Sequence, residues 1–398
     1  GDQEPLSGAS VNLGNFGYAP DIATVTDAAG RYELRGYPRG LSVLLSVGGP
    51  EGGQLLDRSL RREAAPTQTA IDIDVELQRG LFIEGRVFDQ ADGKRVQAGV
   101  QFVPLPENRF ADEHNHHDPG TQTDAEGHFR LLVMPGPGVL MAQVHGGARI
   151  ADHEINPYRQ ASFSAEDSKR VPTTINGDDR YFTIRDNSIR FLMNENAVKL
   201  LDLAPNGKSV TCDLPVDPGK TVKIQIEDGQ GQPVNDAFVS GLADIWPYTF
   251  RLADPACTIY GLGSERSRRV CILQPERRLA TSITLTGKER QPVKVRLAAS
   301  ASISGRALVP DGQPLADALV QINYAGRSAS ELLRFSALEH TQLKTDSEGR
   351  FLEDNIVPGE RFSLDFKLGE TFYRVGGRRE LAAGQKLNLG DVTIKPVR

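Results

Sequence analysis

A turn phrase, Thr-Asp-x-x-Gly with an aromatic two residues on, occurs three times, at 26–32, 123–129 and 345–351, as Thr-Asp-Ala-Ala-Gly-Arg-Tyr, Thr-Asp-Ala-Glu-Gly-His-Phe and Thr-Asp-Ser-Glu-Gly-Arg-Phe. Each copy runs within a few residues into a Pro-Gly or Pro-x-Gly turn, at Pro38 and Gly40, Pro135 and Gly136, and Pro358 and Gly359. Internal repetition at this spacing restricts the chain to a tandem array. Aspartate opens a turn by bonding its own backbone, and glycine accepts a positive φ. An alternating run follows, so the repeated element is a β-hairpin.

A second phrase precedes the first. Residues 311–322 read Asp-Gly-Gln-Pro-Leu-Ala-Asp-Ala-Leu-Val-Gln-Ile, and residues 231–239 read Gly-Gln-Pro-Val-Asn-Asp-Ala-Phe-Val. Residues 93–102 and 5–13 fit the same pattern of a turn leading into a strand. Ahead of it, three copies carry an alternating strand: Phe82 to Phe88, Val222 to Ile226 and Ile303 to Val309. Each copy closes on another, at Ile71 to Leu77, Val210 to Val216, Val293 to Leu297 and Leu387 to Ile394. Strict alternation over Ile71 to Leu77 predicts a strand with one buried and one wet face.

The chain has 398 residues, with 40 Gly and 24 Pro between short apolar runs. About seven short strands per 80–100 residues predict an all-β chain of four tandem antiparallel Greek-key β-sandwiches, with short helices in insertions. The expected divisions are 1–80, 81–217, 218–299 and 300–398. The first copy begins inside its turn and lacks a first strand, so possible edge-strand pairing with another chain is expected there. The second carries a long polar insertion at 146–196, where Ser164-Ala165-Glu166-Asp167 can start a helix. The third is degenerate, because residues 253–260 stand where the Thr-Asp phrase belongs. The fourth holds a helical insertion at 326–343, whose Ser328-Ala329-Ser330-Glu331 reads as a capping box ahead of Leu332, Leu333 and Phe335. The joints Gln78-Arg79-Gly80, Asp217-Pro218-Gly219 and 299–302 are short, hence semi-rigid.

These residues carry a resemblance. A first strand ending in Gly-Arg-Val (85–87) or Gly-Arg-Ala (305–307), then Asp-Gly-x-Pro-Leu-x-x-Ala-x-Val, then Thr-Asp-x-x-Gly-x-Phe, resembles the carboxypeptidase regulatory-like domain. That family is transthyretin-like, and close to the Cna B-type domains of bacterial surface proteins. The resemblance implies a non-catalytic, accessory β-sandwich. It also implies an extracytoplasmic setting (periplasmic, secreted or cell surface), with other surface proteins or glycans as partners. Some Cna B-type domains carry a Lys–Asn crosslink between first and last strands. Here the first strands hold Arg86 and Arg306. Lys220 and Lys223 in the third copy face a last strand without Asn, so the crosslink does not carry over.

Candidate chemistry is sparse. Asp112-Glu113-His114-Asn115-His116-His117-Asp118 is the densest polar cluster, and His114, His116 and Asp118 are candidate metal ligands. Their spacing matches no established ligand motif, and an exposed hairpin loop has the same composition. Trp246, Tyr248 and Phe250 alternate around Pro247, so an extended segment presents them on one face as a platform for a ligand such as a sugar ring. The same spacing suits a core plug. One aspartate per turn at 27, 124 and 346 is too few for calcium. No nucleophile elbow, zincin helix or phosphate loop is present, so no enzyme and no cofactor is expected. A net charge of −6 excludes nucleic acid as a default partner. No apolar run approaches the length of a spanning helix, so no membrane span is expected in this segment. Of the three cysteines, Cys257 and Cys271 either close a loop or stay as buried thiols like Cys212.

Overall fold

A computed structural model describes residues 4–14, 22–36, 42–63, 65, 67, 70–111, 119–150, 153–171, 174–176, 179–183, 189–191, 194–205, 207, 209–245, 248–264, 266–332 and 343–396. The repeated turn forms as its residues dictate. In all three copies the aspartate Oδ1 accepts the backbone amides two and four residues ahead. The pairs are Ala29 and Arg31 at 2.8 Å on Asp27, Glu126 and His128 at 2.9 and 2.8 Å on Asp124, and Glu348 and Arg350 at 2.9 and 2.7 Å on Asp346. Gly30, Gly127 and Gly349 hold φ of 73°, 81° and 77°. A Cβ at Gly127 or Gly349 would meet the carbonyl of Val87 or Ala307 at 2.7 or 2.5 Å, so only glycine fits.

The threonine joins the two repeated phrases into one unit. Thr26, Thr123 and Thr345 each accept the amide of the alanine in the other phrase, Ala9, Ala98 and Ala318, at 2.9 Å through the side-chain oxygen. Thr26 and Thr345 also donate to the carbonyls of Leu6 and Leu315. The third repeat keeps an aspartate clamp, but at Asp228, which takes the amides of Gln230 and Gln232 ahead of its second strand.

The chain is all-β, arranged as tandem β-sandwiches. In the second, third and fourth repeats one sheet is built around the repeat's first strand. Leu81–Asp89 runs antiparallel to His128–Val133, and parallel to Val210–Thr211 and Leu214–Val216. Lys220–Glu227 lies between Ala256–Leu262 and Val293–Arg296, and Ala301–Leu308 between Arg350–Ile356 and Lys386–Thr393, with the same directions. The expected strand from Val210 to Val216 is thus two short ones. They break at Cys212, whose carbonyl lies over Gly85 so closely that a Cβ there would sit 2.1 Å away. The facing sheets hold the other strands, such as Ala98–Pro104 beside Gly136–Val144 and Leu319–Tyr324 beside Phe362–Leu368.

The first repeat departs from this plan. Its one sheet orders Ile22–Val25, Ser10–Gly14, Val43–Gly48 and Arg58–Arg62, and buries Val11, Leu13, Val43, Leu45 and Val47. The opposite layer has no ladder. Tyr32, Leu34, Ile71, Ile73, Val75 and Leu77 pack against the core, yet residues 32–36 and 71–77 form no strand. This corrects the strand expected at Ile71 to Leu77. Its alternation is real, but in the other repeats both flanking strands bond to the first strand rather than to each other. Among the described residues none lies between them here, and no backbone ladder joins them.

The joints are packed. Leu56 of the first repeat enters the second repeat's core, and the amide of Gly80 bonds the carbonyl of Gln54 at 2.7 Å. Arg159 and the Gly219 amide hold Asp217 at 2.7 and 2.8 Å. The 146–196 insertion reaches forward: Ile150 and Ile155 lie in the third repeat's core. Its helix is Asp167–Arg170, with Ser164 Oγ accepting the Asp167 amide at 3.0 Å. Between third and fourth repeats one cluster spans both: Phe238, Cys271, Leu273 and Ala280 pack with Ile303, Ile356, Val357 and Phe362. The helix in the 326–343 insertion starts at 327, with Ser330 N bonding Gly326 O, so Ser328 lies inside it rather than at a cap.

Candidate interaction sites

Of the residues singled out in the sequence, His114, His116, Asp118 and Trp246 lie outside the described residues. Among the described residues no group of three His, Cys, Asp or Glu side chains is placed to hold a metal ion. Tyr248 and Phe250 do share a face. Their rings stack 5.9 Å apart at 15°, half-buried against the third repeat's core. Tyr248 also lines a cavity of about 420 Å³ with Gln143, His145, Asn156 and Asn194. The insertion is tied down beside it by an amide network. Asn156 Nδ2 donates to Val144 O and Asn196 Oδ1 at 2.8 Å, and Asn196 Oδ1 accepts the Val144 amide at 2.8 Å.

A cavity of about 480 Å³ lies where the insertion meets the third and fourth repeats, and the arginines 159, 266, 268, 269 and 327 line it. Buried among them is Asp244, only 6% exposed. Arg266 and Arg268 both contact its Oδ1, the latter at 3.0 Å, and its Oδ2 accepts the Gln160 amide at 2.8 Å. Burial alone would raise the Asp244 carboxyl. The Arg268 and Arg266 guanidiniums and the Gln160 amide outweigh it and hold the group below the usual carboxylate range. Burial pushes Arg268 down to about 10, so it stays charged at neutral pH. Arg268 also donates to the carbonyls of Tyr260 and Gly261, and Arg269 bonds Glu360 of the fourth repeat at 2.6 Å. The third repeat supplies Asp244, the fourth Glu360 and the insertion the Gln160 amide. These contacts fasten the insertion to the third repeat and the third repeat to the fourth. Sequence reasoning missed this cluster. Its traces were the Arg266-Ser267-Arg268-Arg269 run and the lone acid inside Leu242-Ala243-Asp244-Ile245.

The three cysteines are free thiols. Cys257 and Cys271 stand in opposite sheets, Ala256–Leu262 and Arg268–Gln274. Cys271 faces the cluster shared with the fourth repeat, while Cys257 packs on the third repeat's own core. The disulfide alternative is therefore not the one found. Burial pushes the Cys257 thiol up to about 12 and raises Cys212 and Cys271 as well, which leaves all three unreactive near neutral pH.

No family model matches the chain, and no curated protein matches it in sequence. Among solved structures it is similar to the Bacillus anthracis TIE protein, at 11% identity over 98% of this chain and 69% of that one, with a TM-score of 0.21. It is also similar to a streptococcal ancillary pilin, at 9% identity over 78% of this chain and 99% of that one, with a TM-score of 0.19. GBS52, the minor pilin of Streptococcus agalactiae, aligns at 12% identity over 45% of this chain and 97% of that one, with a TM-score of 0.23. Superposition this loose assigns no residue of one chain a counterpart in another, so no role transfers. No helix among the described residues is long and apolar enough to cross a membrane.

Proposed function

We propose that this chain is a non-enzymatic, semi-rigid spacer and protein-interaction region of an extracytoplasmic, cell-surface protein, divided at 1–80, 81–217, 218–299 and 300–398. One observation carries the reading. The chain exposes 21701 Å² of surface, whereas a compact single body of its mass exposes about 15,000 Å². An excess of this kind supports an elongated string of small bodies, whose packed joints oppose free bending. Other surface proteins are the partners this reading implies. Small-angle scattering tests it. The expected radius of gyration is well above the roughly 21 Å of a compact chain of this length. A value near 21 Å would remove the spacer.

A second reading, carbohydrate binding, is favoured by the Tyr248 cavity. One aromatic face with the amides of Gln143 and Asn194 is the mixture that sugar hydroxyls and ring faces use. On a glycan array the expected result is a retained subset of sugars that Tyr248→Ala abolishes. An array with no binding above background would discard this reading and leave the spacer untouched.

A further inference from the structure

The arginine-lined cavity has features that fastening alone does not require. Its wall is drawn from three parts of the chain: Arg159 and Gln160 of the insertion, Asp244 and the run 266–269 of the third repeat, and 326–329 with Glu360 of the fourth. The three parts approach closely there. A Cβ on Gly261 would lie 3.2 Å from Pro157 O of the insertion, and one on Gly241 would lie 3.2 Å from Ser328 Oγ of the fourth repeat. Yet a space of about 480 Å³ remains between them, within the roughly 300–1,000 Å³ that encloses a small organic ligand.

The charges on that wall are uneven. Arg266 and Arg268 both rest on a single oxygen, Asp244 Oδ1. Arg269 has Glu360, and Arg159 has Asp217. Among the described residues these four guanidiniums thus meet three carboxylates, and Arg327 brings a fifth guanidinium to the same wall. Arg268 registers the surplus. Burial, joined by repulsion from Arg266 and Arg159, outweighs the attraction of Asp244 and leaves it at about 10.

Every cation among the lining residues is an arginine. A guanidinium offers a fork of five N–H donors, so it can keep a protein partner and still grip a ligand oxyanion. Forks drawn from three parts of the chain suit the oxygens of a phosphate, which fan out in three directions, better than the two coplanar oxygens of a carboxylate. Ser267, Thr284 and Ser328 share the wall, and their hydroxyls suit a polar body attached to that phosphate.

We propose that this cavity binds a small organic phosphate monoester with a hydroxylated body, held between Arg159 of the insertion, Arg266 of the third repeat and Arg327 of the fourth. The bound ester ties the insertion to both repeats and stiffens their joint. The site shares no lining residue with the Tyr248 cavity, so its failure would leave both the spacer and the sugar reading untouched.

Calorimetric titration of the full chain tests this, with glucose 6-phosphate and glycerol 3-phosphate as probes and glucuronate, glucose and inorganic phosphate as comparisons. At least one ester should bind about tenfold more tightly than any comparison. Arg266→Gln, which leaves Arg268 on Asp244, and Arg327→Gln should each weaken that binding by about tenfold or more, the worth of one charge-assisted hydrogen bond. The two substitutions lie in different repeats, so misfolding of one variant leaves the other as the test. Arg95→Gln, at a side chain 67% exposed in the second repeat, should bind as the wild type does. The bound ester should also slow hydrogen exchange at 159–161, 266–269 and 327–329 together. Absence of binding by both esters overturns the proposal. So does equal binding of glucuronate or inorganic phosphate, protection confined to one of the three walls, or affinity that survives the arginine substitutions.

Discussion

Phe238→Ala should destabilise the third and fourth repeats together, by roughly 3–5 kcal/mol. Every residue of the strand Ala237–Ser240 is buried, because both faces of its sheet are covered. Ala237 and Val239 point into the third repeat's core. Phe238 points the other way, into the cluster with Ile303, Ile356 and Phe362 of the fourth. Removing the ring leaves a cavity that neither backbone can close. A domain's whole stability is about 5–15 kcal/mol, so this loss should bring unfolding of residues 220–396 near working temperatures. Calorimetry with hydrogen exchange reads it: protection should fall in both repeats, while 81–133 keeps its own. Leu352→Ala, at a side chain 54% exposed, should change stability by less than about 0.5 kcal/mol. Loss confined to 220–299 would show that the shared cluster does not couple the two.

Asp244→Ala should cost a comparable amount, roughly 3–5 kcal/mol, by leaving the Arg268 guanidinium buried without its carboxylate. Its signature is pH. The Asp244 carboxyl is held below the ordinary range in the folded chain, so its contribution is full above the unfolded value of about 3.9 and is lost as pH falls through the folded value. The wild-type chain should therefore exceed the variant in urea midpoint at pH 7, and the gap should narrow steadily below about pH 4. A gap that stays constant down to pH 2.5 would assign the loss to packing rather than to the ion cluster.

The histidine cluster and Trp246 fall outside the described residues, and Tyr248 and Phe250 stack on each other against the third repeat's core. The arginine cluster escaped because its carboxylate sits 22 and 24 residues from the two guanidiniums it holds, in a bend after Ala237–Ser240. No local spacing encodes that meeting.

By itself the sequence determined the repeated turns, whose cause is local. The Asp27, Asp124 and Asp346 turns close with bonds to amides two and four residues away, and the glycine φ follows from the same five residues. Alternation located the strands, since side-chain direction flips at every residue whatever the partner. The tertiary structure decided what depends on a partner's presence. Ile71 to Leu77 alternates as cleanly as any strand here, yet forms no ladder, because a strand is completed by hydrogen bonds from a neighbour it does not encode. The Val270-Cys271-Ile272-Leu273 run is apolar at every position because a second repeat covers its outer face, and only the packed chain reveals which one.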